Sequence, residues 1–141
     1  MRSESGGMKL FAMILAAALV ASTASADART RLQDDATIDN GLKIVAIGKM
    51  LTDKCSAIEP RRIKAFGFAL SLQQRAKGLG YSDAEIDAYL DNDTEKKRIK
   101  SAARAYLRAR GADFKKPETF CAVGKAEISN ETKVGQYLRA D

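Results

Sequence analysis

Apolar residues recur at steps of three and four through most of the chain after residue 43, and this helical period limits the fold more than any other feature. The first such stripe contains Ile44, Ile47, Leu51, Cys55 and Ile58. This spacing places its members on one face of a helix. Later segments keep the same period, and none alternates with the period of two expected of a half-buried strand. The sequence therefore predicts an all-α fold, a compact bundle of five to six short helices.

The segment after Pro60 carries apolar residues on two helical faces. One face contains Ile63, Phe66, Gly67 and Leu70, and the other contains Ala69, Leu72, Ala76 and Leu79. A helix that is apolar on two sides is expected to be packed on both. We therefore predict that this helix is the central one.

Capping signals mark where the following helices begin and end. Ser82 and Glu85 have the spacing of a capping box, and the pattern recurs at Asn92 and Glu95. Gly111 supplies the left-handed conformation that ends a helix. Four glycines also fall inside predicted helices: Gly48, Gly67, Gly124 and Gly135. Each indicates either close helix–helix approach or a helix end that lies elsewhere.

The N-terminal segment is typical of a secretory signal peptide. An apolar run from Leu10 to Ala21 follows Lys9, and the small residues Ala24-Ser25-Ala26 fit a cleavage site. The run has twelve residues, whereas a membrane-spanning helix needs about 20. We predict a signal peptide at 1–26, starting at Met1 or Met8, and a single helical domain at 27–141. The mature chain is then periplasmic and has no transmembrane segment.

Composition argues against several kinds of chemistry. The chain has no histidine and only two cysteines, which excludes histidine-dependent triads and four-thiolate metal sites. No catalytic residue, cofactor or metal site is predicted, and the chain is not expected to be an enzyme. The net charge of +6 and the helix-turn-helix spacing of Ala76, Gly80 and Ile86 suggest a nucleic-acid role. The segment that would then be the recognition helix, from Ser82 to Glu95, contains six acids and no base. Phosphates would repel it, so no nucleic acid is expected as a partner.

The two cysteines, Cys55 and Cys121, are predicted to form a disulfide. Export takes the chain into an oxidising compartment, and two thiols allow a single intramolecular pairing. Both lie on apolar helical stripes, which directs them to one core. The alternative is a pair of free buried thiols that behave as small apolar side chains.

An internal ion pair is expected near this disulfide. Glu127 lies on the inward side of the last helical region, six residues after Cys121, while Arg61 and Arg62 follow Cys55 by six and seven residues. A buried carboxylate needs a partner such as a guanidinium. We therefore predict that Glu127 pairs with Arg62 or Arg61.

A basic stripe runs along a later predicted helix. Lys97, Lys100, Arg104 and Arg108 follow one another at steps of three, four and four. One interpretation is contact with anionic lipid, lipopolysaccharide or an acidic partner. The other, which we favour, is an ordinary solvated face.

Three groups of residues, spread over nearly all of the predicted mature chain, resemble the pattern of a protein family. They are Cys55 with Arg61-Arg62; Leu79-Gly80-Tyr81-Ser82 with Glu85-Ile86-Asp87-Ala88-Tyr89; and Cys121, Gly124, Glu127-Ile128, Gly135 and Leu138. With these residues the chain resembles a family of small exported alphaproteobacterial proteins classed as a domain of unknown function. The resemblance implies no activity and no catalytic residues.

Two functions remain open from sequence alone. The first is a non-catalytic binding or accessory module of the cell envelope, whose partner is an envelope protein or an anionic envelope surface. The second is a small envelope stress chaperone that exposes apolar helix faces. A more distant alternative is an accessory protein of a respiratory-chain dehydrogenase, a label that some members of such families carry.

Overall fold

The computed structural model describes residues 28–141, so the predicted signal peptide lies outside the described residues. Five helices follow one another: α1 (Ala36–Lys54), α2 (Arg62–Gly78), α3 (Asp83–Asp91), α4 (Asp93–Ala109) and α5 (Glu118–Ser129). Short 3-10 turns cover Leu32–Asp34 and Gly135–Tyr137. The predicted all-α class is confirmed, and within 28–141 none of the helices is long and apolar enough to cross a membrane.

Local capping determines several of these helix ends. Ser82 and Glu85 form the predicted capping box at the start of α3, and the Asn92 side chain accepts a hydrogen bond from the backbone N–H of Glu95 at the start of α4. Asp35 caps α1 in the same way. Gly111 follows α4 with a φ of 99°. The predicted starts of α3 and α4 and the predicted end of α4 are confirmed, whereas α1 ends at Lys54, so Cys55 and Ile58 of the predicted stripe lie beyond it.

The core lies around α1 rather than around α2. Eleven buried residues form the main cluster, among them Leu51, Leu107 and Phe120, each with no exposed area. They come from α1, α4, α5, the segments that directly follow α1 and α4, and the C-terminal segment. The prediction that α2 is central is wrong, since α2 buries only Leu72 and Ala76. Its other apolar face is left open to solvent because nothing in the described chain packs over it.

Two short strands were not predicted. β1 (Ile58–Pro60) pairs antiparallel with β2 (Leu138–Ala140), with Glu59 opposite Arg139. A three-residue strand is too short to show a period of two, so its sequence carries no strand signal. The ribbon nevertheless ties the C-terminus to the segment after α1.

The cysteines meet as predicted. Cys55 follows the last residue of α1, Cys121 lies in α5, and their Cα atoms are 5.2 Å apart across the disulfide. Cys55 is almost completely buried. The predicted pairing is therefore confirmed, and it joins the first helix to the last.

The four interior glycines divide into two groups. A Cβ at Gly135 would overlap the backbone carbonyl of Glu127, and one at Gly124 would lie 2.9 Å from the Ile58 side chain. Both positions are closely packed, but not between two helices as the first alternative predicted: Gly124 meets β1, and Gly135 begins a 3-10 turn against α5, so its predicted helix was misplaced. Gly67 has nothing within 4 Å of its Cβ position, because it lies on the open face of α2, and Gly48 makes only an ordinary contact.

Candidate functional site

The outer face of α1 forms the floor of an apolar groove. Leu42, Val45, Ala46 and Lys49 are spaced at steps of three, one and three, so they share one side of the helix. The opposite side of α1 enters the core through Ile47 and Leu51. The apolar periodicity identified that buried stripe, but it did not identify Val45, which is 44% exposed, as part of a surface groove.

The walls of the groove come from three other helices. Toward α2 the floor opens into a cavity of about 420 Å³ that is lined by Phe66, Ala69 and Leu70 among others. Toward α4 the floor opens into a second cavity of about 370 Å³ that is lined by Ile99 and Lys100 among others. Leu42, Val45, Tyr89 and Leu90 line both cavities. The two cavities are therefore parts of one groove, and its centre is the exposed pair Val45 and Leu90, at 44% and 46%.

Polar groups inside the groove are satisfied by the protein. The Tyr89 hydroxyl donates a hydrogen bond of 2.9 Å to Glu95, and Glu95 also binds Arg98 at 2.9 Å. Burial, with the Glu95 hydrogen bond second, raises the pKa of Tyr89 to about 12. Tyr89 therefore stays protonated near neutral pH, and the floor offers apolar contact rather than acid–base chemistry.

Lysines line the groove on its α4 side, Lys49 on the floor and Lys96 and Lys100 at the rim. Lys49 pairs with Asp53 at 2.7 Å, and Lys96 lies 3.7 Å from Asp91. Lys100 is exposed, and no carboxylate within residues 28–141 pairs with it. An occupant would meet an apolar floor and at least one available ammonium group.

The structure brings the four residues of the predicted basic stripe together on the outer side of α4. The guanidinium of Arg104 lies 3.9 Å from the ring centre of Phe114, and that of Arg108 lies 5.2 Å from it. Lys97 and Lys100 are exposed on the same helix. This stacking holds two cations in place, which suits either of the two interpretations of the stripe.

Glu127 is buried as expected, but the predicted partner was wrong. Arg110, at the end of α4, binds Oε1 at 2.8 Å. Tyr106 donates a hydrogen bond of 2.8 Å to Oε2, and Thr132 donates a second one to the same oxygen. Arg61 and Arg62 lie exposed at the start of α2.

Helical and extended geometry explain this difference. Six residues advance the chain only about 9 Å within a helix, so Glu127 stays close to Cys121. After Cys55 the chain passes instead through the extended β1, which rises about 3.3 Å per residue and carries Arg61 away. Arg110 follows Tyr106 by four residues, about one helical turn, and this spacing was the available signal.

A wider cleft lies on another side of α1, with a volume of about 710 Å³. Tyr106, Arg110 and Thr132 line it together with Asn40 and Lys133. Burial, followed by the hydrogen bond to Glu127, raises the pKa of Tyr106, which keeps its hydroxyl protonated at neutral pH. Arg110 is held against Glu127 and against the Tyr106 ring, 3.3 Å from its centre. Three polar residues of this cleft, Tyr106, Arg110 and Thr132, therefore belong to the ion-pair network around Glu127.

Comparisons with known proteins identify the family. The model of the family of unknown function DUF5333 matches residues 30–139, so the chain belongs to that family. No curated protein and no solved structure matches the chain. Within residues 28–141, no group of three or more carboxylate or cysteine side chains is placed to hold a metal ion.

Proposed function

We propose that this member of the DUF5333 family is a non-catalytic binding module of the cell envelope, located in the periplasm, which holds an amphipathic helix of a partner protein. The observation that carries the proposal is the groove along α1, with Val45 and Leu90 at its centre. Apolar patches that stay open on a folded chain, with polar groups around them, are typical of interaction sites.

The shape of the groove favours a helix as its occupant. Its floor extends over residues 42–49, about 10 Å along the axis of α1, which matches two turns of a docked helix. Recognition of this type uses apolar anchors at helical spacing laid into an apolar groove. Lys100 at the rim, with Lys96 beside it, favours acidic residues at the edge of the apolar face of the partner.

Crosslinking inside cells tests this proposal. A photoreactive amino acid at Val45 should give one adduct of defined mass, since a single helix would cover that position. The matched control is the same amino acid at Ala126, an exposed position of α5, which should give none. A second variant, Leu90→Glu, should abolish the Val45 adduct without changing thermal unfolding, because Leu90 is half exposed.

The other outcomes are also decisive. Many adducts of unrelated masses, together with suppression of client aggregation by the purified protein after acid or heat, would replace the proposal by the stress chaperone. No adduct at Val45, or equal adducts at Val45 and Ala126, would contradict the groove as a binding site.

A further inference from the structure

The open face of α2 is the most exposed apolar surface of the described chain. Ile63 is 92% exposed, Phe66 is 70% exposed and Leu70 is 40% exposed. Their spacing of three and four puts them on one stripe of α2. Ile63 lies in the first turn of the helix, so the apolar stripe is widest open at that end.

Charge on α2 has a single sign. The segment from Arg61 to Gly80 contains five basic residues and no acidic one. Two of these bases are paired, Arg75 with Asp35 and Lys77 with Asp83. The other three, Arg61, Arg62 and Lys64, are exposed, and no carboxylate in the described part of the chain pairs with them. All three line one surface depression together with Ile63, and the Lys64 ammonium also lies 5.5 Å from the ring centre of Tyr137.

The protein holds this end of α2 in a defined position. The backbone N–H of Arg61 donates a hydrogen bond of 2.7 Å to the carbonyl oxygen of Tyr137. Further along α2, the Phe68 ring stacks on the Tyr137 ring with centroids 4.6 Å apart. The disulfide and the β1–β2 ribbon support the same region. The exposed residues therefore belong to a preorganised surface rather than to a frayed end.

From these observations we infer that the N-terminal half of α2 binds an anionic phospholipid surface. Ile63 and Phe66 enter the boundary between headgroups and acyl chains, and Arg61, Arg62 and Lys64 meet the phosphates. Helices that lie on a membrane combine an apolar face with flanking basic residues in this way. A protein interface would be expected to keep charges out of its centre, whereas here three cations adjoin the most exposed apolar residue.

This surface is separate from the centre of the α1 groove. Phe66 and Leu70 also line the groove on its α2 side, but Val45 and Leu90 form its centre. Ile63 and the three cations lie beyond it at the N-terminal end of α2, beside Pro60 and Arg139. The inference does not rest on the proposed partner helix. It adds a second contact, which would place the groove near a membrane.

Fluorescence of a single tryptophan tests the inference. The chain has no tryptophan, so Phe66→Trp, at an exposed site, supplies the sole reporter. Its emission should shift to the blue, and brominated lipids should quench it, with vesicles of phosphatidylglycerol and phosphatidylcholine but not with phosphatidylcholine alone. Ala126→Trp on α5 is the control and should show neither change. All variants are prepared in the same form as the native protein, so any lipid affinity outside residues 28–141 is common to them.

Charge variants then test which bases are involved. In the Phe66→Trp background, Arg61→Gln with Arg62→Gln should weaken vesicle binding by about 30-fold, because each base near an anionic surface contributes about fivefold. Lys100→Gln with Arg104→Gln removes the same charge from α4 and should change binding by less than about threefold, since charges away from the surface are screened. Thermal unfolding confirms that both double variants fold.

Three results would overturn the inference. The first is an emission spectrum of the Phe66→Trp variant that anionic vesicles leave unchanged, which would assign the α2 face to a protein partner instead. The second is an equal response of the Phe66→Trp and Ala126→Trp variants. The third is a greater weakening of vesicle binding by the two α4 substitutions than by the two α2 substitutions. That result would assign lipid binding to the basic stripe.

Discussion

Replacing Glu127 by alanine should strongly destabilise the protein. The side chain is 3% exposed and ties α5 to α4 and to the C-terminal segment through Arg110, Tyr106 and Thr132. Its removal leaves two hydroxyls without their acceptor, at a cost of about 1 kcal/mol each for partly buried groups. Loss of the charged contact adds about 1.5 kcal/mol, reduced from the value for a fully buried pair because the Arg110 side chain is 41% exposed and can turn to water.

The expected total is therefore about 3 to 4 kcal/mol, which corresponds to a Tm lowered by roughly 12 °C for a chain of this size. Urea unfolding followed by circular dichroism measures the free energy, with Glu131→Ala as the matched control. Glu131 is exposed, so this control should cost less than about 0.5 kcal/mol. Glu127→Gln should give an intermediate loss, since an amide oxygen still accepts the hydroxyl hydrogen bonds. Equal, small losses for Glu127→Ala and Glu131→Ala would refute the reasoning.

Three further predictions concern packing, pH and the disulfide. Gly135→Ala should lower the free energy of unfolding in urea by about 3 kcal/mol, because its Cβ meets the backbone of Glu127. Gly67→Ala should raise it by up to about 1 kcal/mol, because the site is open and helical. Similar effects at both positions would contradict the packing. Hydrogen bonds from Arg29 and from the Ser82 backbone lower the pKa of Glu85 to about 2 from 4.5. The stability that Glu85 contributes is therefore present above pH 4.5 and is lost as the pH falls toward 2. Glu85→Gln should make the Tm fall less steeply with decreasing pH in this range. A fall as steep as in the unsubstituted protein would contradict this. Reduction of the disulfide, which closes a loop of 66 positions, should lower the Tm by more than about 10 °C; a shift of only a degree or two would show that the bond contributes little.

The sequence could predict those features of the fold that depend on residues three or four positions apart. The capping box at Ser82 and the end of α4 at Gly111 depend on neighbouring residues alone, and both were confirmed. The disulfide was also predictable, because two cysteines leave one intramolecular pairing.

Contacts between distant segments were not predictable in the same way. Periodicity identified the apolar face of Ile63 and Phe66, but it cannot say what covers a face, and nothing in the described chain covers this one. The partner of Glu127 depended on how far the chain travels after each cysteine, which requires knowing that β1 is extended. The groove at Val45 was missed for a related reason: it forms only when α2, α3 and α4 pack around the outer side of α1.

The central claim is that this chain works as an exported, disulfide-closed module, and the thiol state of the native protein tests it most directly. Protein isolated from its native compartment under conditions that block thiol exchange should show no free thiol on titration, and its intact mass should match a monomer with Cys55 and Cys121 joined. Two free thiols, or a dimer linked through these cysteines, would contradict the claim.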